Sequence, residues 1–254
     1  MRTLQFDAGN TRLKWLLREN GQPASSGFFC NTEDWDTVLP GFLDTVGRLD
    51  QVSVSIVSGN ERFEQIKKHV LATQTVPLYK AAAKKVSAGV TLSYDEPEKL
   101  GVDRWLAMLA AHATKTQDSK VVVDCGTAIT IDVLDKTGLH LGGYIVPGIS
   151  LMKKTLASNT GKLKYIESTD NNDLTLGRNM VDCIQHGALA MSLALIDRVV
   201  AQYPGSRVIL SGGDGGQLEP LIDVYKEGRV SLMPDLIMDG LEIAVREERK
   251  GCAG

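Results

Sequence analysis

Apolar and polar positions along this chain change period many times, and the order of the changes repeats. Residues 2–8 and 11–18 read as two short strands joined by a polar turn with a glycine, and 25–30 reads as a third. Trp35, Val38, Leu39, Phe42, Leu43 and Val46 recur at helical spacing. They predict a helix over 33–47 that Pro40 and Gly41 would weaken. The run 51–58 puts Val52, Val54 and Ile56 on one face of a strand. Asn60 then reads as the cap of a helix reaching about Ala72, with Phe63, Ile66, Val70 and Leu71 as its buried stripe. Val76–Tyr79 is a short strand, 84–100 looks irregular, and Asp103–Thr114 is a helix rich in Ala and Leu.

The order then begins again. Strands are expected at 120–125, 128–135 and 139–146, and a helix after Pro147-Gly148, a pair suited to a helix start. A polar loop over 158–176 precedes a long helix at 179–202, with Ile184, Leu189, Leu193, Ile196 and Val200 among its apolar positions. A strand at 207–210, a glycine-rich turn, a short helix, a strand at 229–232 and a helix from about Pro234 finish the chain. Three sequential strands followed by alternating helices and strands, twice over, indicate an α/β fold of two duplicated domains rather than one doubly wound sheet. The expected division is 1–115 and 116–254, with the helix near 103–114 as the seam.

Composition narrows the function class. With 254 residues, 43% hydrophobic and 23% charged, the chain has an ordinary globular balance and can build a core without disulfides or structural metal. A net charge of −3 lacks the basic excess of a nucleic-acid binder. No stretch approaches the roughly 18 apolar residues of a membrane span. The start, MRTLQFDAGN, meets an acid at position 7, unlike a signal peptide. Cys30, Cys125, Cys183 and Cys252 form no C-x-x-C pair and the histidines are dispersed, which reads as reduced thiols in a cytoplasmic protein without zinc. The P-loop, the dinucleotide G-x-G-x-x-G after a strand and the G-x-S-x-G elbow are all missing.

Candidate chemistry lies where strands are interrupted. Both 3-TLQFDAGNTRLKWLL-17 and 121-VVVDCGTAITIDVL-134 place an acid, a glycine and a hydroxyl or amide residue inside an apolar run. Gly9 and Gly126 would let the backbone turn sharply and a ligand come close. Free N–H groups in such a turn can face an anion. Asn10, Thr11 and Thr127 add short polar arms, and Lys14 a positive charge. Asp7 and Asp124, at strand ends, suit a cation held directly or through water. One such turn is equally a plain hairpin. Two, at equivalent points of repeated halves, are expected to face each other across a cleft that takes a polyphosphate and its metal. In 209-ILSGGDGGQLEPL-221, Gly212 and Gly213 either let a base or ribose lie against the backbone or simply turn a strand into a helix. In 100-LGVDRWLAMLAAH-112, Asp103 and Arg104 open a helix. Three readings stay open there: an acid favoured by the helix dipole, a salt bridge, or a general base beside a cationic anchor. An aspartate of ordinary pKa serves phosphoryl transfer, because positioning dominates and the acceptor loses its proton late.

Four motifs now stand in order: D-x-G-N-[ST] at Asp7–Thr11, G-x-D-R at Gly101–Arg104, D-x-G-T at Asp124–Thr127 and G-G-x-I-x-P-G at Gly142–Gly148. Together with the glycine pair of 211-SGGD-214, the set resembles the type III pantothenate kinases over nearly the whole chain. The resemblance implies two ribonuclease H-like halves of the actin, hexokinase and heat-shock chaperone superfamily. It implies ATP-dependent phosphorylation of pantothenate to 4′-phosphopantothenate, the first step toward coenzyme A. By the same match, Asp7, Ala8, Gly9, Asn10, Thr11, Arg12, Leu13 and Lys14 look like the first phosphate-binding loop, and Thr127, Gly212 and Gly213 like further ATP contacts. Asp103 corresponds to the proton acceptor, and Tyr94, Gly101, Val102 and Arg104 to its pantothenate-binding neighbours. Asp124 matches the ligand of a monovalent cation, K+ or NH4+, that works beside Mg2+. A homodimer is implied, with the 179–202 helix as a candidate surface.

One departure stands out. The family carries a threonine that hydrogen-bonds pantothenate in a G-x-[NA]-T pattern, and here 177-GRNM-180 has Met180 in its place. A thioether is no hydroxyl donor, and one such bond is worth about 0.5–1.5 kcal/mol. Asn179 could take the polar role instead. Two other readings stay open: a kinase of the same superfamily acting on another small alcohol, and a non-catalytic regulatory relative. Retention of Asp7, Asp103 and Asp124 weighs against the second.

Overall fold

The alternation at the start of the chain builds a hairpin. β1 (Arg2–Ala8) and β2 (Arg12–Glu19) pair antiparallel, from Arg2 opposite Glu19 to Ala8 opposite Leu13. In the computed structural model, residues 1–57, 59–114, 116–159 and 172–252 are described. Asn20 and Gly21, with φ of 53° and 81°, form the two-residue turn into β3 (Gln22–Cys30). Positive φ at both turn residues matches the right-handed twist of the strands they join.

α1 (Trp35–Val46) forms despite Pro40. Asp34 caps it by accepting from Asp36 N at 3.1 Å, and Phe42 packs against Phe6, Trp15 and Phe29 with ring centroids 4.7–6.3 Å apart. β4 (Gln51–Ile56) joins parallel to β1, and after α2 (Gly59–Thr73), β5 (Leu78–Lys80) joins parallel to β4. The sheet order is β3-β2-β1-β4-β5. Two expectations for α2 change: Asn60 lies inside its first turn and accepts from Lys80 Nζ at 2.6 Å, and Leu71 is half exposed. Residues 84–100 are not wholly irregular, since β6 (Val86–Ser87) and β7 (Val90–Thr91) make a small hairpin over Ala88-Gly89. α3 (Val102–His112) follows.

The two faces of this sheet differ in kind. Leu4, Phe6, Ala8, Val52 and Val54 join Leu39, Leu43, Ile66 and Val70 of α1 and α2 in one apolar core. The alternate positions Thr3, Gln5, Asp7, Gln51, Ser53 and Ser55 are polar, yet all are buried. Such a face is stable only if its polar groups find partners.

The second sheet repeats the first. β8 (Lys120–Cys125), β9 (Ala128–Leu134) and β10 (His140–Pro147) run antiparallel in sequence. After α4 (Ile149–Asn159) and α5 (Met180–Gln202), β11 (Arg207–Ser211) joins parallel to β8. After α6 (Gly215–Leu218), β12 (Val230–Leu232) joins β11. The order β10-β9-β8-β11-β12 matches the first sheet strand for strand. Of the loop expected at 158–176, residues 160–171 lie outside the described ones, and 172–179 form neither helix nor strand. Among the described residues α5 alone is long and apolar enough to cross a membrane, a feature the residue count had missed. Half of that stretch is buried, and Leu189, Leu193, Ile196 and Val200 sit in the core with Val121, Val123, Ile129 and Ile131. That is the pattern of a core helix.

α7 (Leu236–Cys252) completes the chain and departs from expectation. The chain divides into Met1–Ala113 with Leu236–Gly254, and Thr114–Asp235. The sequence suggested a division after 115; the first segment of this unit ends at Ala113, and α7 packs on α3, β1 and β4 of the same unit. Gly240 explains the fit: a Cβ there would lie 2.0 Å from Leu106 O, so the two helices cross at backbone contact. α7 also supplies partners for the polar face. Gln5 Nε2 donates to Met238 O at 3.0 Å, and Arg18 donates to Gln5 Oε1 at 2.8 Å and to Asp239 Oδ1 at 2.5 Å.

Candidate active site

In the first unit, the β1–β2 register sets Asp7 opposite Lys14 across the turn. Gly9 N donates to Arg12 O at 3.1 Å and closes that turn. Neither Gly9 nor Gly126 has a positive φ, and a Cβ at Gly9 would meet Arg12 O at an ordinary 3.5 Å. The sharp-turn argument for these glycines therefore falls, and room for a ligand is the argument that stands. Ala8 and Leu13 are fully buried, so they offer a ligand only their backbone. Asn10, Thr11, Arg12 and Lys14 are exposed. The Arg12 guanidinium lies 4.3 Å from the Phe28 ring centroid.

Two residues absent from the sequence-level site hold this turn. Asn31 donates its backbone N–H to Thr11 O at 3.0 Å and its side-chain amide to Gly9 O at 2.9 Å. Ser55 Oγ donates to Asp7 Oδ1 at 2.9 Å. Asp7 is 6% exposed, and burial pushes its carboxyl up to about 6. Lys14 and the Ser55 hydroxyl oppose that rise, and the charge of Asp103 adds to it.

The Asp103 effect means that α3 brings its first turn near β1. Gly101 is the N-cap, and a Cβ there would sit 2.5 Å from Asp103 Oδ1. Glycine is therefore required for the carboxylate to fold back over the helix start, where Oδ1 accepts from Arg104 N at 2.8 Å. Val102 is buried. Arg104 is 6% exposed, and its guanidinium reaches Tyr94, with Nη1 3.3 Å from the phenol oxygen. Lys85 Nζ donates to Tyr94 O at 2.8 Å and fixes that segment. Asp7, Lys14, Tyr94, Gly101, Asp103 and Arg104 thus belong to one unit, with Asp103 in electrostatic reach of Asp7 and Tyr94 beside Arg104.

In the second unit, Asp124 lies at the end of β8, opposite Thr130 and Ser211. Gly126 N donates to Ala128 O at 3.0 Å, and Thr127 is exposed. The last glycine of the G-G-x-I-x-P-G motif presses on this turn. Gly148 N donates to Thr127 O at 2.9 Å, and a Cβ at Gly148 would be 2.2 Å from Gly126 O. The pair Gly212-Gly213 divides in two. Gly212 has φ 88°, and a Cβ there would meet the Cys125 backbone at 2.4 Å, so β8 fills the room that it leaves. Gly213 is exposed, with nothing within 4 Å of an added Cβ. Asp214 N donates to Cys125 O at 3.0 Å. Burial, then the charges of Asp124 and Asp214, push the Cys125 thiol up, so two carboxylates flank that strand end. Carboxylate oxygens suit a hard cation better than a soft one. No group of three or more His, Cys, Asp or Glu side chains with metal-binding geometry occurs among the described residues.

Met180 is the first residue of α5 and is 57% exposed. Asn179 is engaged as the helix cap: it accepts from Asp182 N at 3.0 Å and donates to Asp182 Oδ2 at 2.7 Å. Gly177 is packed against the start of α5, since a Cβ there would lie 2.3 Å from Cys183 N.

Comparison with known proteins agrees with these features. The family model described as type III pantothenate kinase matches residues 3–202. A type III pantothenate kinase of Hahella chejuensis is 35% identical over 96% of this chain and 97% of its own. One of Marinobacter nauticus is 32% identical over 94% of this chain and 96% of its own. Among solved structures, the activator of 2-hydroxyisocaproyl-CoA dehydratase from Clostridium difficile with bound ADPNP superposes with a TM-score of 0.57. That match covers 100% of this chain and 98% of the other at 12% identity, and it shows the actin-like ATPase fold. With two sheets of one strand order, the four motifs in sequence and a family model covering most of its length, this chain belongs to the type III pantothenate kinase family.

Proposed function

We propose that ATP-dependent phosphorylation of pantothenate, the first step of coenzyme A biosynthesis, runs in this protein with Asp103 as general base. The primary hydroxyl of pantothenate attacks the γ-phosphorus of ATP. An oxygen–phosphorus bond forms, the bond to the β-phosphate oxygen breaks, and the hydroxyl proton passes to the Asp103 carboxylate. Arg104, held by Tyr94, presents a planar set of donors to the polar end of pantothenate. Lys14 and the Asn10 backbone N–H counter the phosphate charge. Thr127 and Gly213 are the second unit's proposed nucleotide contacts, with the Gly212 backbone beside them. Mg2+ accompanies ATP and screens its phosphates. Asp124 is proposed to hold K+ or NH4+, with Asp214 as a nearby oxygen donor. The observation that supports this reading is that one unit holds the acid of the phosphate loop, Asp7, and the acceptor segment in which Asp103 folds over the start of α3 beside the Arg104–Tyr94 pair.

The cytoplasm and a homodimer complete the proposal. Cys183, Gly187, Ala190, Met191 and Ala194 form an exposed small and apolar stripe on α5, suited to a second copy, and sedimentation of the purified protein tests it.

The test is direct. Protein with ATP, Mg2+ and K+ should phosphorylate pantothenate. Asp103→Asn should lower turnover by about 10²–10⁴-fold with the fold intact. Na+ in place of K+ should slow the reaction. Absence of turnover with pantothenate, alongside phosphorylation of another small alcohol, would move the substrate assignment and leave the fold unchanged.

A further inference from the structure

We infer that Ser55 is a positioning residue of the phosphate-transfer site, aiming the Asp7 carboxylate from the neighbouring strand. The inference rests on the kinase reading above. β4 runs parallel to β1 with Ser55 directly opposite Asp7, so the pleat sends both side chains to the same face. Ser55 is fully buried, and its hydroxyl donates to Asp7 Oδ1 at 2.9 Å. It is the hydrogen-bond donor that the described residues give to this carboxylate. The charged groups facing Asp7 are Lys14 from β2 and Asp103 from α3, of opposite sign.

A buried carboxylate with one donor is held by that donor. Tying Oδ1 to β4 fixes the side-chain torsion and leaves Oδ2 for the ligand side of the turn. Without the hydroxyl, Asp7 would be oriented only by Lys14, an exposed and flexible side chain, and repelled by Asp103. Rotation of the carboxylate would then disturb the place where ATP meets the first turn. Serine suits the position for two reasons. It is small enough for a fully enclosed site, and its hydroxyl can donate to a carboxylate as an alkyl or thioether side chain cannot.

Three variants test this. Ser55→Ala removes the donor, Ser55→Cys keeps the volume with a much weaker donor, and Ser55→Thr keeps the hydroxyl. The expected result is a fall of about 10–100-fold in kcat/KM for ATP in the Ala and Cys variants, the span of one hydrogen bond to a charged group. KM for pantothenate should stay within about twofold, and the Thr variant should recover most of the loss. Affinity for Mg·ATP, measured by calorimetry without pantothenate, should weaken in parallel, while the melting temperature moves by only a few degrees. Wild-type kcat/KM and Mg·ATP affinity in a folded Ala or Cys variant would overturn the inference. A Thr variant as impaired as Ala, with its melting temperature preserved, would do the same. If wild-type protein binds Mg·ATP but does not turn over pantothenate, the substrate reading fails, and the calorimetric comparison still decides the role of Ser55.

Discussion

The turn after β1 and the turn after β8 occupy the same place in two sheets of identical strand order, yet they are held by different means. Side chains hold the first. Asn31 bonds to both sides of it, and Ser55 fixes its acid. Backbone contact holds the second. Gly148 lies against Gly126 and Thr127, and Gly212 lies against Cys125, each closer than a Cβ allows. One strand pattern is thus made rigid in two ways, by side-chain hydrogen bonds in the first sheet and by close glycine packing, with backbone hydrogen bonds, in the second. Substitutions should therefore fail for electrostatic and hydrogen-bond reasons in the first half and for steric reasons in the second.

The largest effect on stability is expected at Gly212. Its φ of 88° and a 2.4 Å clash of the new Cβ with Cys125 combine backbone strain with overpacking. Gly212→Ala should cost about 2–6 kcal/mol in chemical denaturation. Gly213→Ala, one position on, should cost less than about 1 kcal/mol because nothing lies within 4 Å. Equal losses at the two positions would break the comparison.

The next effect belongs to the first turn and has the opposite sign. Burial raises the Asp7 carboxyl from 3.8 to about 6, so the folded protein binds that proton more tightly than the unfolded chain. Keeping Asp7 ionised therefore costs stability at neutral pH. The cost is full above about pH 6 and disappears as pH falls toward 3.8. Asp7→Asn should stabilise the protein at pH 7.5 by about 2–3 kcal/mol, with the gain shrinking by pH 4.5, while kinase turnover is lost. Denaturation curves at both pH values check the sign.

The smallest effect is expected at Met180, whose exposed side chain meets no constraint of either kind. Met180→Thr should lower KM for pantothenate severalfold at most, the value of one neutral hydrogen bond of about 0.5–1.5 kcal/mol, and leave the melting temperature unchanged. An unchanged KM would mean that the hydroxyl has no counterpart in this pocket.

Much of this architecture was legible in the residues. The two interrupted strands gave away the hairpins, and the repeated order of elements gave away the duplication, because period two and period 3.6 are local signals. α7 was assigned to the wrong half, since an amphipathic stripe says that one face is buried and not which surface buries it. Gly240, the residue that settles the matter, reads in sequence as a weak point in a helix. The hairpin at Val86–Thr91 escaped because two-residue strands carry no period. At the site, Asp7, Asp103 and Arg104 stood out as charges beside glycines. Ser55 and Asn31 did not, because a serine in a strand and an asparagine after one are ordinary, and only strand register reveals what they touch. One signal was available for Ser55: the alternate positions of β4, Gln51, Ser53 and Ser55, are all polar in a strand that ought to be central.

The return of α7 to the first unit sets an order on biosynthesis. A ribosome delivers residues 1–113 long before residues 236–252, so Leu106 stays uncovered and Gln5 and Arg18 lack their helix partners while the rest is made. The continuous segment Thr114–Asp235 has no such wait. The half that is translated later is therefore the half able to finish folding first, and the nascent amino-terminal half is the one that a chaperone would find exposed.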